Sequence, residues 1–430
     1  MTSLFAGVAH DRAASLPPRV EALQQISKFA EISEIMRSPD FTQDADPDRR
    51  SFIGKSMLFT DGPEHLERKM VFANLFTKQA LSYYELKLLE PKIDEVLSEI
   101  QTMQRDDGTV RADLVLFVRS ALYRISAGVV GVDDVNTPER TDRFRQLLVR
   151  VSNGVDAWLA AGNKAEAMND GRQAIVSIVD EFFRPSLERR RELVRRHHAG
   201  EIGIADLPRD ALTMVCMSKL EDLSDNEGYS DYIWQEVGFL AVAATSTTVT
   251  TLPHVAIEID KWIEKHPEDG SKIHDVGFLR AAVGESLRLH QTGPVRFRTA
   301  SRDITLKSGR KVKHGESVAL LSPIANREEE VFGADAEEFN PYRKLPSGVQ
   351  PWGLTFGSGS HMCCGRSLVT SLQNRPNHEA GTEGTMVKML KRLYEIGMTL
   401  DRERPPVKIR HSYIDAFESV PIIFERVRAI

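Results

Sequence analysis

The residues with the clearest chemical potential lie in a glycine-rich segment near the C-terminal end of the chain. Residues 356–366 read Phe-Gly-Ser-Gly-Ser-His-Met-Cys-Cys-Gly-Arg. Three glycines allow the backbone of such a loop to approach a ligand closely. A cysteine at the end of the loop would sit near a helix N-terminus, whose N–H groups and dipole favour a thiolate, and a thiolate is a metal ligand. Taken alone, a glycine-rich turn holding a buried structural cysteine explains the segment equally well.

The composition places the chain among globular proteins. Hydrophobic residues make up 41% of the 430 residues, so intrinsic disorder is not expected. The three cysteines cannot form a disulfide framework, which indicates a reducing, cytoplasmic location. A net charge of −6 argues against broad nucleic-acid binding. The first 20 residues are too polar for a signal peptide or an anchor, and no membrane association is expected.

Helical periodicity dominates the sequence, so helices are expected to position the cysteine segment. The longest helical patterns cover residues 80–103, 141–160, 171–197 and 230–265. Pro91 is expected to split the first of these patterns into two helices. Partial alternation over residues 294–320 predicts a few short strands. Because no Gly/Ser-rich linker divides the chain, we predict one domain over residues 1–430 that is mainly α with small β-sheets.

The pattern F-G-x-G-x-H-x-C-x-G resembles the haem-binding loop of the cytochrome P450 family and matches it at every fixed position. The resemblance implies the P450 fold and haem b with an axial cysteine thiolate. By position the ligand is Cys363, whereas Cys364 falls on a variable position. Phe356 and Gly357 are then cofactor-binding residues of the same loop. The N-terminus is expected to be shortened, since only about 28 residues precede Phe29, where a family-like segment begins.

A second resemblance concerns the family's ExxR motif, which Glu285 and Arg288 match. Side chains at i and i+3 share a helix face and can pair, although an ordinary surface ion pair would look the same. The residues 325–327 and 339–343 resemble the meander that completes this network. The family often has arginine immediately before the meander phenylalanine, and this chain has Glu338 there.

Four residues match the positions that bind the haem propionates in the family. His65 matches the propionate histidine, and Lys69 stands where arginine is usual, although lysine lacks the planar guanidinium fork. Arg298 matches the strand arginine, and His361 matches a third partner. Each of them alone would be a solvated surface residue, and together, at the family spacing, they indicate propionate contacts.

The long predicted helix contains a segment that resembles the family's oxygen-binding A-G-x-[D/E]-T-T motif, over residues 243–248. Thr247 matches the catalytic threonine, and Ala244 replaces the glycine. Ser246 replaces the acid, so the usual proton relay lacks its carboxylate. Alternatively, the run of β-branched residues and Pro253 merely loosens the helix.

Chain position predicts a mostly apolar substrate pocket, although core packing would explain each of its residues equally well. The residues are Phe239, Leu240, Ala243, Ala244, Val295 and Phe417. An apolar or aromatic small molecule is therefore the expected substrate. Residues 374–385 interrupt the helix that normally follows the cysteine loop, and they are expected on the side where an electron donor docks.

These resemblances imply a cytochrome P450 monooxygenase that inserts one oxygen atom from O2 into the substrate. Electrons are expected from a ferredoxin or flavodoxin with its reductase, since no reductase domain is evident in 430 residues. Ser246 keeps open an atypical haem-thiolate enzyme, either a peroxygenase or a catalyst of oxidative cyclisation, coupling or rearrangement. A non-catalytic haem-binding sensor is the alternative from another class.

Overall fold

The computed structural model describes residues 17–44, 47–105, 107–157, 163–218, 220, 232–370, 382–409 and 413–424. Internal contacts divide the chain into two compact units. Unit 1 comprises residues 1–44, 94–118 and 247–430, and unit 2 comprises residues 45–93 and 119–246. The predicted single domain over residues 1–430 stays a prediction.

The described residues are mainly helical, as the sequence indicates. The helices are α1 Pro18–Glu21, α2 Phe29–Arg37, α3 Pro47–Ile53, α4 Gly62–Ala73, α5 Lys78–Tyr84, α6 Glu90–Gln101, α7 Leu114–Val130, α8 Pro138–Val155, α9 Lys164–Ile178, α10 Arg184–His198, α11 Ala211–Cys216, α12 Tyr232–Lys265, α13 Val276–Leu289, α14 Ser322–Ala325, α15 Glu329–Phe332, α16 Arg366–Thr370 and α17 Thr385–Glu395. Short 3₁₀ turns supplement them at Met57–Phe59 and Gly359–His361.

The described strands all belong to unit 1. They are β1 Gln24–Ile26, β2 Phe41–Asp44, β3 Val110–Asp113, β4 Arg296–Ala300, β5 Ile304–Thr305, β6 Lys311–Val312, β7 Ser317–Leu320, β8 Met398–Leu400, β9 Val407–Lys408, β10 Phe417–Ser419 and β11 Pro421–Phe424. One sheet has the order β1-β7-β4-β2 and another has the order β3-β11-β8. Two strand pairs, β5-β6 and β9-β10, complete the small β portion.

The four-stranded sheet packs one face against a buried apolar cluster. Ile26 of β1, Phe41 of β2, Ala300 of β4 and Val318 of β7 are all at most 5% exposed. In this sheet β1 runs parallel to β7, while β4 is antiparallel to both of its neighbours. The register pairs Arg298 with Val318, so the packed core fixes the position of that arginine along the sheet.

Two of the predicted helical patterns are organised differently from the expectation. Pro91 does not end a helix: it is the second residue of α6 and directly follows a π-helical turn, whose wider hydrogen-bond period accompanies the change at the proline. A π-helical turn at Glu85–Leu89 joins α5 to α6, and a second one at Val179–Phe183 joins α9 to α10. Helical backbone therefore continues through both junctions with a local change of hydrogen-bond period.

Helix α12 is the longest element and contains the segment that resembles the oxygen-binding motif. By length and composition it is the one helix in the described part of the chain that could cross a membrane. However, 61% of its most apolar window is buried within the protein. Burial of this kind is typical of a core helix. Pro253 is accommodated inside this helix.

Candidate active site

The cysteine loop adopts a backbone conformation that requires its glycines. Gly357 and Gly359 have φ angles of +70° and +74°, in the left-handed region. A Cβ atom on Gly359 would lie 2.4 Å from the carbonyl oxygen of Met36 in α2. Any side chain at position 359 would therefore displace the loop from this helix. The sequence predicts that the backbone of this loop approaches a ligand closely, and at Gly359 the close neighbour is the backbone of Met36.

Cys363 stands at the end of this loop, three residues before the first residue of α16. Its side chain is exposed, while its backbone N–H donates to the carbonyl of Phe356 at 2.9 Å. Desolvation by the surrounding protein raises the pKa of the Cys363 thiol, and the charge of Cys364 adds to this effect. The backbone N–H groups of Gly365 and Arg366 act in the opposite direction and favour the thiolate. The sulfur thus has donors that suit a thiolate, and metal binding would deprotonate it.

The ExxR pair is buried, so its interpretation as an ordinary surface ion pair is wrong. Arg288 is 0% exposed and Glu285 is 4% exposed. The guanidinium donates to the Glu285 carboxylate at 2.6 and 2.8 Å and to the carbonyl of Asn326 at 2.7 Å. The side-chain amide of Asn326 donates a hydrogen bond to the carbonyl of Arg288 at 3.1 Å, and its oxygen accepts one from the N–H of Leu354 at 2.8 Å. The network therefore ties α13 to the segment that leads into the cysteine loop.

Arg343 supplies the third charged member of this network. Its Nε donates to the Glu285 carboxylate at 2.8 Å, and both side chains are 5% exposed. Glu338 contributes only its backbone carbonyl, which accepts from Arg288 at 3.2 Å and from Arg343 at 2.9 Å. The resemblance of residues 339–343 to the meander assigned no role to Arg343. The sequence does contain an arginine for this network, but it stands four residues after Phe339. The family often has that arginine immediately before the phenylalanine, where this chain has Glu338.

The residues predicted to bind the propionates fall in both units. Arg298 and His361 belong to unit 1 with Cys363, whereas His65 and Lys69 belong to unit 2. Arg298 is buried in β4 and donates to the carbonyl of the preceding residue at 2.8 Å. In α4, His65 is 4% exposed, and Lys69 follows one turn later on the same face. Each residue is thus held by a regular element or, for His361, by a short turn.

The hydroxyl groups in the motif of α12 mostly bond back to the helix. Thr245 donates to the carbonyl of Ala241 at 2.9 Å, and Ser246 donates to that of Val242 at 2.8 Å. Bonds of this type often bend a helix slightly. Thr247 is exposed in a helix whose neighbouring positions are buried or half-buried.

The predicted pocket residues divide by exposure. Four of them lie on α12 in unit 2 and are half-buried, namely Phe239, Leu240, Ala243 and Ala244. Val295 and Phe417 belong to unit 1 and are 6% and 9% exposed. The α12 positions recur at intervals of three and four residues, so they share one face of the helix with Thr247.

A second cluster of titratable side chains lies next to Phe417, and sequence reasoning missed it. The ligand atoms of His254, His290 and Asp415 all lie within 4.8 Å of one another. The two imidazole rings stack at 4.1 Å with an interplanar angle of 14°. A metal ion binds in the plane of each imidazole ring at about 2.0–2.1 Å, and two parallel planes cannot share one ion at that distance. Burial, followed by the charge of His290, lowers the pKa of His254 to about 3. His254 is therefore a neutral ring at neutral pH, packed against the ring of His290.

The comparisons with known proteins agree with this architecture. The sequence model of the family described as cytochrome P450 matches residues 26–371. The biotin biosynthesis cytochrome P450 of Bacillus subtilis (strain 168) is 24% identical over 314 residues, which cover 73% of this chain and 68% of that protein. Cytochrome P450 52A10 of Candida maltosa is 25% identical over 219 residues, which cover 43% of this chain and only 40% of that protein.

Among solved structures, that of CYP109E1 from Bacillus megaterium in complex with testosterone matches 98% of this chain and 99% of that chain. The TM-score is 0.67 at 16% identity, so this likeness concerns the fold. Together with the family match, it means that the chain belongs to the cytochrome P450 family and has the fold of that family. Members of this family are haem-thiolate monooxygenases that hold haem b through a cysteine thiolate.

The residues around the loop fit such a cofactor. Cys363 presents an open sulfur that N–H groups of the protein can support as a thiolate. The hydroxyl oxygen of Ser358 is buried and has no partner among the described residues. Trp352 and Phe356 pack edge to face at 5.5 Å and give the loop an apolar wall. A thiolate donor beside apolar rings and glycine backbone is the donor set that a haem requires.

Proposed function

We propose that this protein is a monooxygenase that inserts one oxygen atom from O2 into a small, apolar or aromatic organic substrate and reduces the other atom to water. The observation that carries the proposal is the cysteine loop, in which Cys363 is exposed. The buried Glu285–Arg288–Arg343 network holds the segment that leads into this loop. Oxygen-insertion chemistry requires a cofactor site of this kind, whereas a structural cysteine would be covered.

In the proposed site Cys363 would ligate the iron, and Phe356 and Gly357 of the same loop would contact the haem. Arg298 and His361, which belong to the same unit as Cys363, would hold the propionates. The same role for His65 and Lys69 stays a prediction from the sequence. Haem with a thiolate ligand supplies electron density that favours cleavage of the O–O bond. The burial of Arg298 and His65 supports these assignments, since a buried cationic or hydrogen-bonding group gains most from an anionic partner.

Protons would reach the site along α12. A serine hydroxyl has no acidity near neutral pH, so Ser246 can only relay a proton or orient a water molecule. Its bond to the Val242 carbonyl leaves the lone pairs of its oxygen as acceptors. Thr247 would order a water chain, and the substrate or bulk water would supply the proton.

The substrate would lie against the half-buried face of α12 that carries Phe239, Leu240, Ala243 and Ala244. These side chains are apolar, which favours an apolar or aromatic molecule. The electrons would come from a ferredoxin or flavodoxin with its reductase, in the cytoplasm. The donor would dock near Lys69, Arg366 and the segment 374–385, of which residues 374–381 lie outside the described part.

The experiment that tests this function starts from a spectral screen of small molecules for displacement of the iron-bound water. Compounds that bind are then incubated with a surrogate ferredoxin, its reductase, NADPH and isotopically labelled O2. The proposal predicts one labelled oxygen atom in each product molecule. A product that carries label from water, or stoichiometric NADPH oxidation with no product from any binding compound, would count against it.

The second candidate is a haem-thiolate enzyme of atypical chemistry, and the observation in its favour is Ser246 in the position of the acid. An enzyme driven by hydrogen peroxide receives both its oxygen and its protons with the oxidant, so it does not need the relay carboxylate. Turnover with peroxide that equals or exceeds turnover with redox partners would favour this candidate.

A further inference from the structure

Arg296, the first residue of β4, contacts the residue that precedes the cysteine loop. Its guanidinium donates to the hydroxyl oxygen of Ser322 at 3.0 Å and to the backbone carbonyl of Thr355. Thr355 directly precedes Phe356, whose carbonyl accepts the N–H of Cys363 at 2.9 Å. Two hydrogen bonds and one peptide linkage therefore connect the guanidinium to the backbone of the proposed iron ligand.

Both hydrogen-bond partners of Arg296 are neutral. Within the described residues no carboxylate forms an ion pair with it, whereas Arg288 and Arg343 share the carboxylate of Glu285. Burial lowers the pKa of Arg296 to about 10, and the charge of Cys363 acts in the opposite direction. The group is still a cation at neutral pH. A partly buried cation with only neutral partners is costly unless an anion completes its surroundings.

We infer that Arg296 is the counter-charge of the iron–thiolate unit and sets how readily the iron is reduced. This inference rests on the haem site proposed above. It adds a cation that the sequence resemblance did not assign, two residues before the predicted propionate ligand Arg298. Reduction adds one electron and makes the iron–thiolate unit more negative. A fixed positive charge nearby stabilises the reduced form more than the oxidised form.

The test is a potentiometric titration of the ferric/ferrous couple in the haem-loaded protein, with dithionite as the electron source. Arg296→Gln keeps an N–H donor and removes the charge, whereas Arg296→Lys keeps the charge. The inference predicts that Arg296→Gln lowers the equilibrium constant for reduction at least about tenfold, which is about 59 mV for one electron. Arg296→Lys should retain most of the wild-type value.

Arg302 provides a matched control, because it is an exposed arginine near the end of the same strand and pairs with Asp40 at 2.6 Å. Arg302→Gln should leave the potential unchanged. If Arg296→Gln and Arg296→Lys shift the potential equally, packing rather than charge is responsible and the inference is overturned. An unchanged potential in Arg296→Gln overturns it as well.

A haem propionate is the other anion that could attract Arg296, and reconstitution with haem dimethyl ester separates the two. The ester removes the propionate charges and keeps the iron and its thiolate. A shift in Arg296→Gln that persists with the ester supports the thiolate unit as the partner, and a shift that disappears assigns Arg296 to a propionate and overturns the inference.

The failure of this inference is distinguishable from a failure of the proposed function. The wild-type protein must first show the red-shifted Soret band of the reduced carbon monoxide adduct. Absence of that band contradicts the haem-thiolate site itself, and with it this inference. Presence of the band with an unchanged potential in Arg296→Gln contradicts only the role of Arg296.

Discussion

Thr247 and Ser246 define the chemistry of α12 at the scale of single residues. The hydroxyl of Ser246 donates a hydrogen bond to the Val242 carbonyl, so it differs from a carboxylate both in acidity and in the bond that it makes. The following residue, Thr247, is exposed. In the proposed function, proton delivery would therefore depend on the water that Thr247 orders.

Thr247→Ala should increase the peroxide released for each NADPH consumed, because the distal oxygen loses the group that orders its proton source. General acid assistance is typically worth about 10²–10⁴-fold in rate. Substrate binding, followed by spectral titration, should change little. Ser246→Asp is the complementary variant and should alter the coupling or the solvent isotope effect. A silent Thr247→Ala, together with efficient peroxide-driven turnover, would favour the peroxygenase alternative.

Arg343 is the second residue on which the site depends. Arg343→Met leaves the buried Glu285 with one cation instead of two, and breaking a buried ion pair costs about 3–5 kcal/mol. We expect a lower haem-to-protein ratio and a lower urea midpoint in this variant. Glu338→Ala is the matched control, since only the backbone carbonyl of Glu338 takes part. The assignment fails if Glu338→Ala loses haem and Arg343→Met does not.

At the scale of elements, Glu236 connects α12 to the segment before α4. Its carboxylate accepts the backbone N–H of Met57 at 2.7 Å, and one of its oxygens has no partner among the described residues. Arg68 lies 3.7 Å from the carboxylate. Burial dominates these interactions and raises the pKa of Glu236 from 4.5 to about 7. The folded protein therefore holds a proton on this side chain under mildly acidic conditions.

This proton makes the free energy of unfolding depend on pH. Between pH 4.5 and about 7 the unfolded chain has Glu236 ionised while the folded protein keeps it protonated. The contribution to stability is thus full below pH 4.5 and is lost as the pH rises to about 7, by up to about 1.4 kcal/mol for each unit. Glu236→Gln, which cannot titrate, should flatten this part of the profile in urea unfolding at a series of pH values. An unchanged slope would contradict the raised pKa.

The existence of most elements could be predicted from the sequence, but their junctions could not. The periodicity of residues 171–197 indicates helix, and the structure has helix throughout its described part, with a π turn that no periodicity shows. Pro91 was read as a helix break because its position relative to the helix start is not visible in the sequence. Tertiary packing decides whether such a proline begins a helix or interrupts one.

At the scale of the whole molecule, the proposed site takes residues from segments far apart in the chain. The loop residues were predictable, since six fixed positions stand within ten residues. The roles of Arg343 and Arg296 were not, because their partners are backbone carbonyls and a carboxylate from distant segments. Sequence spacing constrains which residue types are available, and long-range packing decides which polar groups meet.

The buried histidine cluster gives the molecule a second pH dependence with the opposite sign. The pKa of His254 is lowered from 6.5 to about 3, so the folded protein keeps the ring neutral while the unfolded chain protonates it. Its contribution is fully present above pH 6.5 and is lost as the pH falls toward 3, at up to about 1.4 kcal/mol for each unit.

His254→Gln, which does not titrate, should weaken the acid destabilisation in urea unfolding at a series of pH values. Added zinc serves as a control, and it should not raise the urea midpoint, because the stacked rings cannot chelate one ion. A midpoint that rises with zinc in the wild type and not in His254→Gln would contradict the structural interpretation of the cluster.

The central claim is that Cys363 is the axial ligand of a haem-thiolate site. The measurement that tests it most directly is the spectrum of the reduced carbon monoxide adduct in two single variants of adjacent residues. Cys364→Ala should keep the red-shifted Soret band, and Cys363→Ala should lose it. The opposite pattern, or the band in both variants, would contradict the assignment of Cys363.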